Sequence, residues 1–500
     1  MDVSPVVTED AAPLPVASAH QARPDVWAQQ QFLGARLGHC ARTKRLVAYA
    51  QALANQPGKA MPELLATKYE IEATYELLKR PEATPDAIQA VHRRWVRAEM
   101  RTPGRYLLFE DTTYISFSHR RVIKGLGPIG KAEEWQQGFL LHSILVARAP
   151  LFSRPDATGR RPGLEVVGLA DQQSLIRVPR PEGEPRKDST QRLYRERESR
   201  RWIDSGQRVG RAPGDDSIRW VRVADREADI YEYLISCQEL GHGFLVRMSQ
   251  DRVALDPCNG RRLGSVFEHA AAAEPAGGLY LDLRARPGMA ARRARLLISF
   301  GSVRVRARWR PGKSVATAKP VDCWFVRVWE PEPPPGIEPL EWNLYADQPV
   351  ESLADALGVA MDYGSRFLIE EFHKGLKTGL NAESLQLETS HRLMAAIAVM
   401  SVVALRLLDL KELGRRHPEA AASGSGLDAE EREILGVAVE RDLDTVAEVL
   451  LAVGRLGGHM NRRRDGMPGW ITLWRGMTKL RLLVEGARLA REIASRKPHT

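Results

Sequence analysis

Cysteine is scarce. The four in this 500-residue chain, Cys40, Cys237, Cys258 and Cys323, stand far apart, with no C-x-x-C pair and no histidine set at ligand spacing. That excludes a disulfide framework and a zinc knuckle and leaves ordinary reduced thiols. Long apolar runs are also missing. A spanning helix needs about 20 apolar residues, and the longest run, LMAAIAVMSVVALRLL from Leu393, is shorter and is broken by Ser401 and Arg406. The opening stretch, MDVSPVVTEDAAPLPVASAHQARPD, has early acids and prolines where a secretory signal would have a basic n-region and an apolar h-region. It reads as a disordered leader over 1–25. No internal repeat at solenoid periods is found. The expectation is a globular, cytoplasmic chain with no membrane partner and no small-molecule cofactor.

What is present in excess is positive charge. Lys and Arg number 73 against 63 Asp and Glu, a net charge of +10, and the arginines are spread over several segments instead of one tail. Such a surface favours a polyanionic partner, and without a spanning segment nucleic acid is the reading taken. Length implies two to four domains. From 26 to 100 the periodicity is helical, with Thr84 as cap and Pro85 as first residue before AIQAVHRRWV. ARTKRLVAYAQALA opens another helix with Arg42, Lys44 and Arg45 in its first turn, where cations oppose the macrodipole unless a phosphate binds there. Strand-like runs follow at 106–117, 138–149, 164–178 and 218–225, with a charged helix at 188–206 and a helical DREADIYEYL after the last strand. That order predicts an α/β catalytic segment with a mixed sheet over 101–243. A β-rich basic insertion is expected over 244–335, where SVRVRARWR puts Arg304, Arg306, Arg308 and Arg310 on one sheet face. PEPPPGIEP at 331–339 reads as a stiff linker. The α/β segment resumes over 336–412, a linker is expected at 413–426, and a helical segment at 427–500 with a break at RRRDGMPGW.

Three carboxylates stand out. Asp111 ends the first strand, in LLFEDTT, and Asp225 ends the fourth, in VRVADREAD; strand ends are where α/β layers build active sites, although an aspartate leaving a strand also caps the next turn. Glu370 lies in DYGSRFLIEEFHKGLKTG. Read as one helix, this stretch places Tyr363, Arg366, Glu370, Lys374 and Lys377 on a single exposed arc, with Leu368, Ile369, Phe372 and Leu376 on the core side. Two aspartates and a glutamate offer hard oxygen ligands to two magnesium ions, with manganese as the natural substitute; two such ions about 3.5 to 4 Å apart suit phosphodiester displacement.

Tyr363, Arg366, Glu370 and Lys377 fit the spacing Y-x(2)-R-x(3)-E-x(6)-K. With ARTKRLV, EDTT, DREADIYEYL, EPLEWNLYADQPVESL, IEEFHKGLKTG and RLGGHMNRRRDGMPGW, the sequence resembles bacterial insertion-sequence transposases of the DDE class, insertion sequence family four, to which the transposase of the kanamycin-resistance composite transposon belongs. The resemblance implies a ribonuclease-H-like core with a β-rich insertion, flanked by helical segments for DNA-end binding (26–100) and dimerisation (427–500). It implies a metal-binding triad of Asp111, Asp225 and Glu370. Tyr363, Arg366, Lys374 and Lys377 would contact phosphates, Arg247 would lie in a hairpin-forming pocket, and Trp342 would stack on a flipped base. Arg42, Lys44 and Arg45 are the candidates for end binding. The implied reaction is nicking, hairpin formation, hairpin opening and strand transfer by a homodimer in a synaptic complex on double-stranded DNA. A transposase-derived regulator without cleavage, or a nuclease without strand transfer, are the alternatives. Phe367, Leu368 and Leu376 depart from the family's aromatic pattern and are expected to repack near the apolar arc, Met248 and Ser249 replace a basic residue, and His373 is read as a phosphate contact.

Overall fold

In a computed structural model of the protein, the described residues are 19–119, 122–130, 136–150, 163–178, 198–283, 289–306, 319–462 and 465–495. They form two compact units, one within residues 28–408 and one of residues 19–27 with those described between 409 and 495. The first helices are α1 (Pro24–Phe32), α2 (Cys40–Asn55), α3 (Met61–Leu64), α4 (Lys68–Lys79) and α5 (Pro85–Glu99). Thr84 accepts from the Ala87 amide and Pro85 fills the first position of α5, as its sequence predicts. Thr67 and Glu70 close a capping box on α4.

The sheet of the larger unit begins with β1 (Gly104–Ser116), β2 (Gly127–Pro128), β3 (Gln137–Ala149) and β4 (Glu165–Leu175). Helix α6 (Arg201–Val209) leads to β5 (Ile218–Ala224), and α7 (Tyr231–Leu240) to β6 (Gly243–Arg247). β1 runs antiparallel to β3 and parallel to β5, and β5 is parallel to β6, which is the mixed sheet expected of a ribonuclease-H-like core. β3 is buried along nearly its whole length, so its sequence is apolar on both faces, broken in the middle by His142 and Ser143, instead of alternating. Of the charged helix expected at 188–206, residues 188–197 lie outside the described residues.

The insertion contributes β7 (Val253–Leu255), β8 (Arg262–Ser265), α8 (Val266–Ala272), β9 (Gly277–Leu283), β10 (Arg292–Arg306), β11 (Val321–Trp329) and β12 (Glu341–Ala346). β12 returns antiparallel to β6, so among the described residues these strands extend the core sheet in the order β2-β3-β1-β5-β6-β12-β11-β10-β7-β8. The PEPPPGIEP stretch joins the paired strands β11 and β12, closed by a bond from the Glu330 amide to the Leu340 carbonyl; it is a turn within one sheet and not a spacer. On β10, Arg304 is held bidentately by Asp322 across the strand pair, while Arg308 and Arg310 fall outside the described residues.

The signature stretch is not one helix. α9 (Leu353–Gly364) and α10 (Phe367–Lys374) meet at Ser365 and Arg366, and a π turn over Gly375–Gly379 follows. The Ser365 hydroxyl bonds back to the Met361 carbonyl, and Arg366, Leu368 and Ile369 donate to the third residue before them instead of the fourth. A Gly-Ser pair with a side chain competing for the ladder is a common cause of such a break. The last helix reached by this unit, α11 (Ser390–Arg416), is long and apolar enough to cross a membrane, but 94% of its apolar window is buried inside the protein. It is a core helix, its hydroxyl at Ser401 satisfied by the Ile397 carbonyl.

The smaller unit contains α12 (Ala429–Val439), α13 (Val446–Leu456) and α14 (Trp470–Ser495), packed around Leu435, Val449, Val453, Leu473 and Leu480. α13 and α14 touch through glycine: a Cβ at Gly476 would collide with the Val453 carbonyl, and one at Gly457 with that of Thr472. Ala422 and Leu427 belong to the same core.

Candidate active site

β1 is paired with β5 only as far as Glu110, opposite Ala224, and then continues to Ser116 along β3 alone. Asp111 therefore stands in the middle of a strand and not at its end, but at the point where the parallel pairing stops. Asp225, the next residue after β5, leaves the sheet at the same level and caps a short 3-10 turn by accepting from the Glu227 amide. The pleat puts Asp111 and Asp225 on one face and Glu110 on the other.

Arg366, at the break between α9 and α10, gathers the three carboxylates. Its guanidinium pairs with Glu370, lies 3.9 Å from Asp111, and interacts electrostatically with Asp225. Arg366 and Tyr363 are buried, at 8% and 3% exposure, so these two signature residues face the protein and not solvent. The reason is that α9 and α10 lie over the carboxylate face of β1, where a polar arc finds partners. Leu368 and Leu376 are buried as expected, whereas Phe367 is 47% exposed and carries the Arg366 guanidinium over its ring at 5.6 Å. Lys374 is exposed. Lys377 instead donates to the Tyr114 carbonyl at 2.9 Å and pairs with Glu383 at 3.4 Å. His373 is buried, with Nδ1 3.5 Å from Asp111 Oδ2, which removes it from the phosphate contacts.

The two aspartates titrate in opposite directions. Burial pushes Asp111 up, but the His373 hydrogen bond and the Arg366 charge outweigh it and hold the carboxyl below the ordinary range. Asp225 is raised, by burial first, with the Asp111 charge adding to it against the Glu227 amide and Arg366. Two carboxylates on one face thus press on each other, a pressure that a divalent cation would relieve. Among the described residues no three His, Cys, Asp or Glu side chains close into a metal-sized group, because Glu370 reaches the aspartates through Arg366 and not directly. The donor chemistry fits a hard cation, and Arg366 balances the carboxylates in this arrangement.

Around this centre, Trp342 on β12 is partly buried and edge-on to Tyr363, ring centroids 5.3 Å apart. Arg247 on β6 donates to the Glu341 carbonyl at 2.7 Å and lines a cleft of about 240 Å³ with Arg226, Ser249, Phe267 and Asn343. Met248 is buried. Arg226, which sequence reasoning passed over inside DREAD, supplies the second cation of that cleft. At the N-terminal helices, Arg42 is tied to the Leu37 carbonyl and Glu82, and Arg45 to Glu70 at 3.7 Å. These acids answer the macrodipole conflict of α2, whose cap is His39. Lys44 is exposed.

Sequence reasoning also missed what lies beneath. Glu110 is fully buried and receives Arg222 through Nε at 2.9 Å, the Tyr233 hydroxyl at 2.9 Å, the Ser205 hydroxyl, and His142 Nε2 at 3.0 Å. Burial opposes ionisation, yet Arg222 and His142 hold Glu110 down at about 2. A charge within a buried strand run, and a second one in IRWVRVAD at matching parity, were the available signal. Asp362, next to Tyr363, is likewise clamped by Arg105 of β1, pinning α9 to the sheet.

Residues 24–83 match the family Transposase DNA-binding, and residues 402–496 match the Transposase Tn5 dimerisation domain. The second match includes α14, which leaves Leu482, Leu489 and Ile493 exposed along its length. Together the two matches support a DNA transposase of the Tn5 type that binds DNA and forms homodimers.

Proposed function

We propose that this protein is a cut-and-paste DNA transposase that binds the terminal inverted repeats of its own element, nicks one strand, forms and reopens a hairpin, and joins the freed end to target DNA. The observation that carries this reading is the convergence of Asp111, Asp225 and Glu370, from β1, the end of β5 and α10, on the one guanidinium of Arg366. Every step is phosphoryl transfer with water or a 3′ hydroxyl as the attacking group, so positioning and charge neutralisation suffice and no residue nucleophile is needed.

Asp111, Asp225 and Glu370 are the residues that would hold two magnesium ions, or manganese in their place; such ions supply charge stabilisation for the attacking and leaving oxygens. Arg366 and the exposed Lys374 neutralise phosphate close to the carboxylates. Arg247 and Arg226 receive the backbone at the cleft beside them, and Trp342, steadied by Tyr363, offers a ring face to an unstacked base, a contact worth about 1 to 3 kcal/mol. End recognition falls to the N-terminal helices, with Lys44 the exposed one of Arg42, Lys44 and Arg45. The dimer holds two ends in one synaptic complex.

The test is a magnesium-dependent cleavage assay on DNA carrying the gene's own flanking ends, wild type against Asp225→Ala. Hairpin-ended products from wild type alone are expected. Binding without cleavage by either protein would overturn the reading in favour of a transposase-derived regulator, and cutting without strand transfer from a pre-cut end would leave a nuclease.

A further inference from the structure

Asp111 of β1 is paired with Ser143 of β3, and Ser143 with Gln172 of β4. These polar residues form one cross-strand row on one face of the sheet. The row continues off the sheet at both ends. His373 of α10 bridges Asp111 and Ser143, with Nδ1 3.5 Å from Asp111 Oδ2 and Nε2 3.3 Å from Ser143 Oγ. Gln89 of α5 meets Gln172. Gln89, Ser143, Gln172 and His373 are all buried, at 0 to 4% exposure, so each polar atom depends on its protein partners.

The far end of the row fixes its direction as far as Ser143. The Ala398 carbonyl can only accept, so Gln89 must turn its amide nitrogen toward it, at 3.0 Å. The same nitrogen then donates to Gln172 Oε1 at 2.8 Å. Gln172 is left to donate through Nε2 to Ser143 Oγ at 3.0 Å. That oxygen accepts from Gln172 and keeps one lone pair and its proton, and the proton can go to His373 Nε2. An imidazole that accepts at Nε2 carries its proton at Nδ1, the ring nitrogen 3.5 Å from Asp111 Oδ2.

We propose that His373 is a positioning residue for Asp111. The buried row, oriented from Ala398 through Gln89, Gln172 and Ser143, selects the Nδ1–H tautomer, whose N–H holds Asp111 Oδ2 and leaves Oδ1 toward Arg366. The role in catalysis rests on the reading of Asp111 as an active-site carboxylate; the tautomer does not. Outer partners of this kind typically carry about 10- to 100-fold in metal affinity or activity.

Two measurements on the full-length protein test this. In ¹⁵N-histidine-labelled protein at about pH 8, the His373 signal, identified by its loss in His373→Asn, is expected to show a neutral ring protonated at Nδ1. An Nε2–H ring, or one protonated on both nitrogens, overturns the proposal, as does a pattern left unchanged by Gln172→Leu. The second measurement uses the geometry of amide replacements: Asn places its nitrogen where His has Nδ1, and Gln where His has Nε2. Manganese binding by electron paramagnetic resonance and first-strand nicking are expected to stay within about threefold of wild type in His373→Asn and to fall about 10- to 100-fold in His373→Gln, with end binding unchanged in both. The reverse order, or equal loss, overturns it. An Nδ1–H ring in a wild type that neither binds manganese nor nicks DNA would sustain the positioning geometry and defeat the proposed function instead.

Discussion

Glu110 and Asp111 are consecutive residues of one strand and have opposite fates. Glu110 points into the core on the α6–α7 side, where Arg222, His142, Ser205 and Tyr233 saturate it. Asp111 points to the α9–α10 side, where His373 at 3.5 Å and Arg366 at 3.9 Å are its neighbours. Both carboxyls are held in the ionised form, but only one is held tightly. A carboxylate that is fully satisfied by short bonds has no capacity left for a ligand, while one with long contacts can exchange them at small cost. On the proposed function, the difference separates scaffold on the Glu110 side of the sheet from working surface on the Asp111 side.

The sharpest way to break this comparison is to neutralise each member. Glu110→Gln keeps the volume and leaves Arg222 as an uncompensated buried charge, which is expected to destabilise the protein by about 3 to 5 kcal/mol. Glu110→Gln combined with Arg222→Met is expected to recover part of that loss. Asp111→Asn is expected to abolish cleavage with little change in stability. Urea denaturation of the variants decides it; equal stability losses for Glu110→Gln and Asp111→Asn would dissolve the distinction.

Acid separates the same groups next. Glu110 titrates at about 2 in the folded protein against an ordinary value of 4.5, so its contribution is fully present above 4.5 and is lost as pH falls from there toward about 2. Asp225 has the other sign: its folded pKa is raised, so ionisation opposes folding once pH rises through that value. Asp225→Asn should therefore be more stable than wild type at neutral pH and converge with it in acid, while losing cleavage. A variant less stable than wild type at neutral pH would show that Asp225 serves its cap more than its site.

Trp342 sharpens the boundary between the two surfaces. Partly buried against Tyr363, it belongs to the packing and to the open face at once. Trp342→Ala is expected to impair hairpin formation more than first-strand nicking, by the about 1 to 3 kcal/mol that a stacked base contributes. Equal loss of both steps would place it with the scaffold.

Much of this division is legible in the sequence. The four core strands follow from their apolar runs, and the three carboxylates that gather on Arg366, namely Asp111, Asp225 and Glu370, are singled out by their places after those runs and in the signature. What is not legible depends on partners far along the chain. No spacing rule pairs Glu110 with Arg222 or Asp362 with Arg105, because each pair is made by the fold. The helix drawn through the signature fails at Ser365 because a hydroxyl can compete with the ladder, and periodicity is blind to that competition. Treating Tyr363 and Arg366 as an exposed face fails with it, since a polar arc can be buried when carboxylates wait beneath it.

The smallest expected effect concerns the lysines. Lys374 and Lys377 share the signature, and Arg42, Lys44 and Arg45 share the first two turns of α2, yet in each set the contacts differ. Lys377 is fastened to the Tyr114 carbonyl and Glu383, as Arg42 and Arg45 are to Glu82 and Glu70. Lys374 and Lys44 are exposed. A cation already paired releases few counterions when DNA arrives, because its own partner must first be displaced. Lys374→Ala and Lys44→Ala are each expected to lower the slope of log affinity against log salt by about 1, with stability unchanged. Lys377→Ala is expected to change that slope less and to loosen the π turn that the Tyr114 contact holds, visible as faster amide exchange there. If Lys377→Ala instead flattens the slope as much as Lys374→Ala does, then DNA binding breaks the Tyr114 contact, and the signature helix moves on the sheet when the end is engaged.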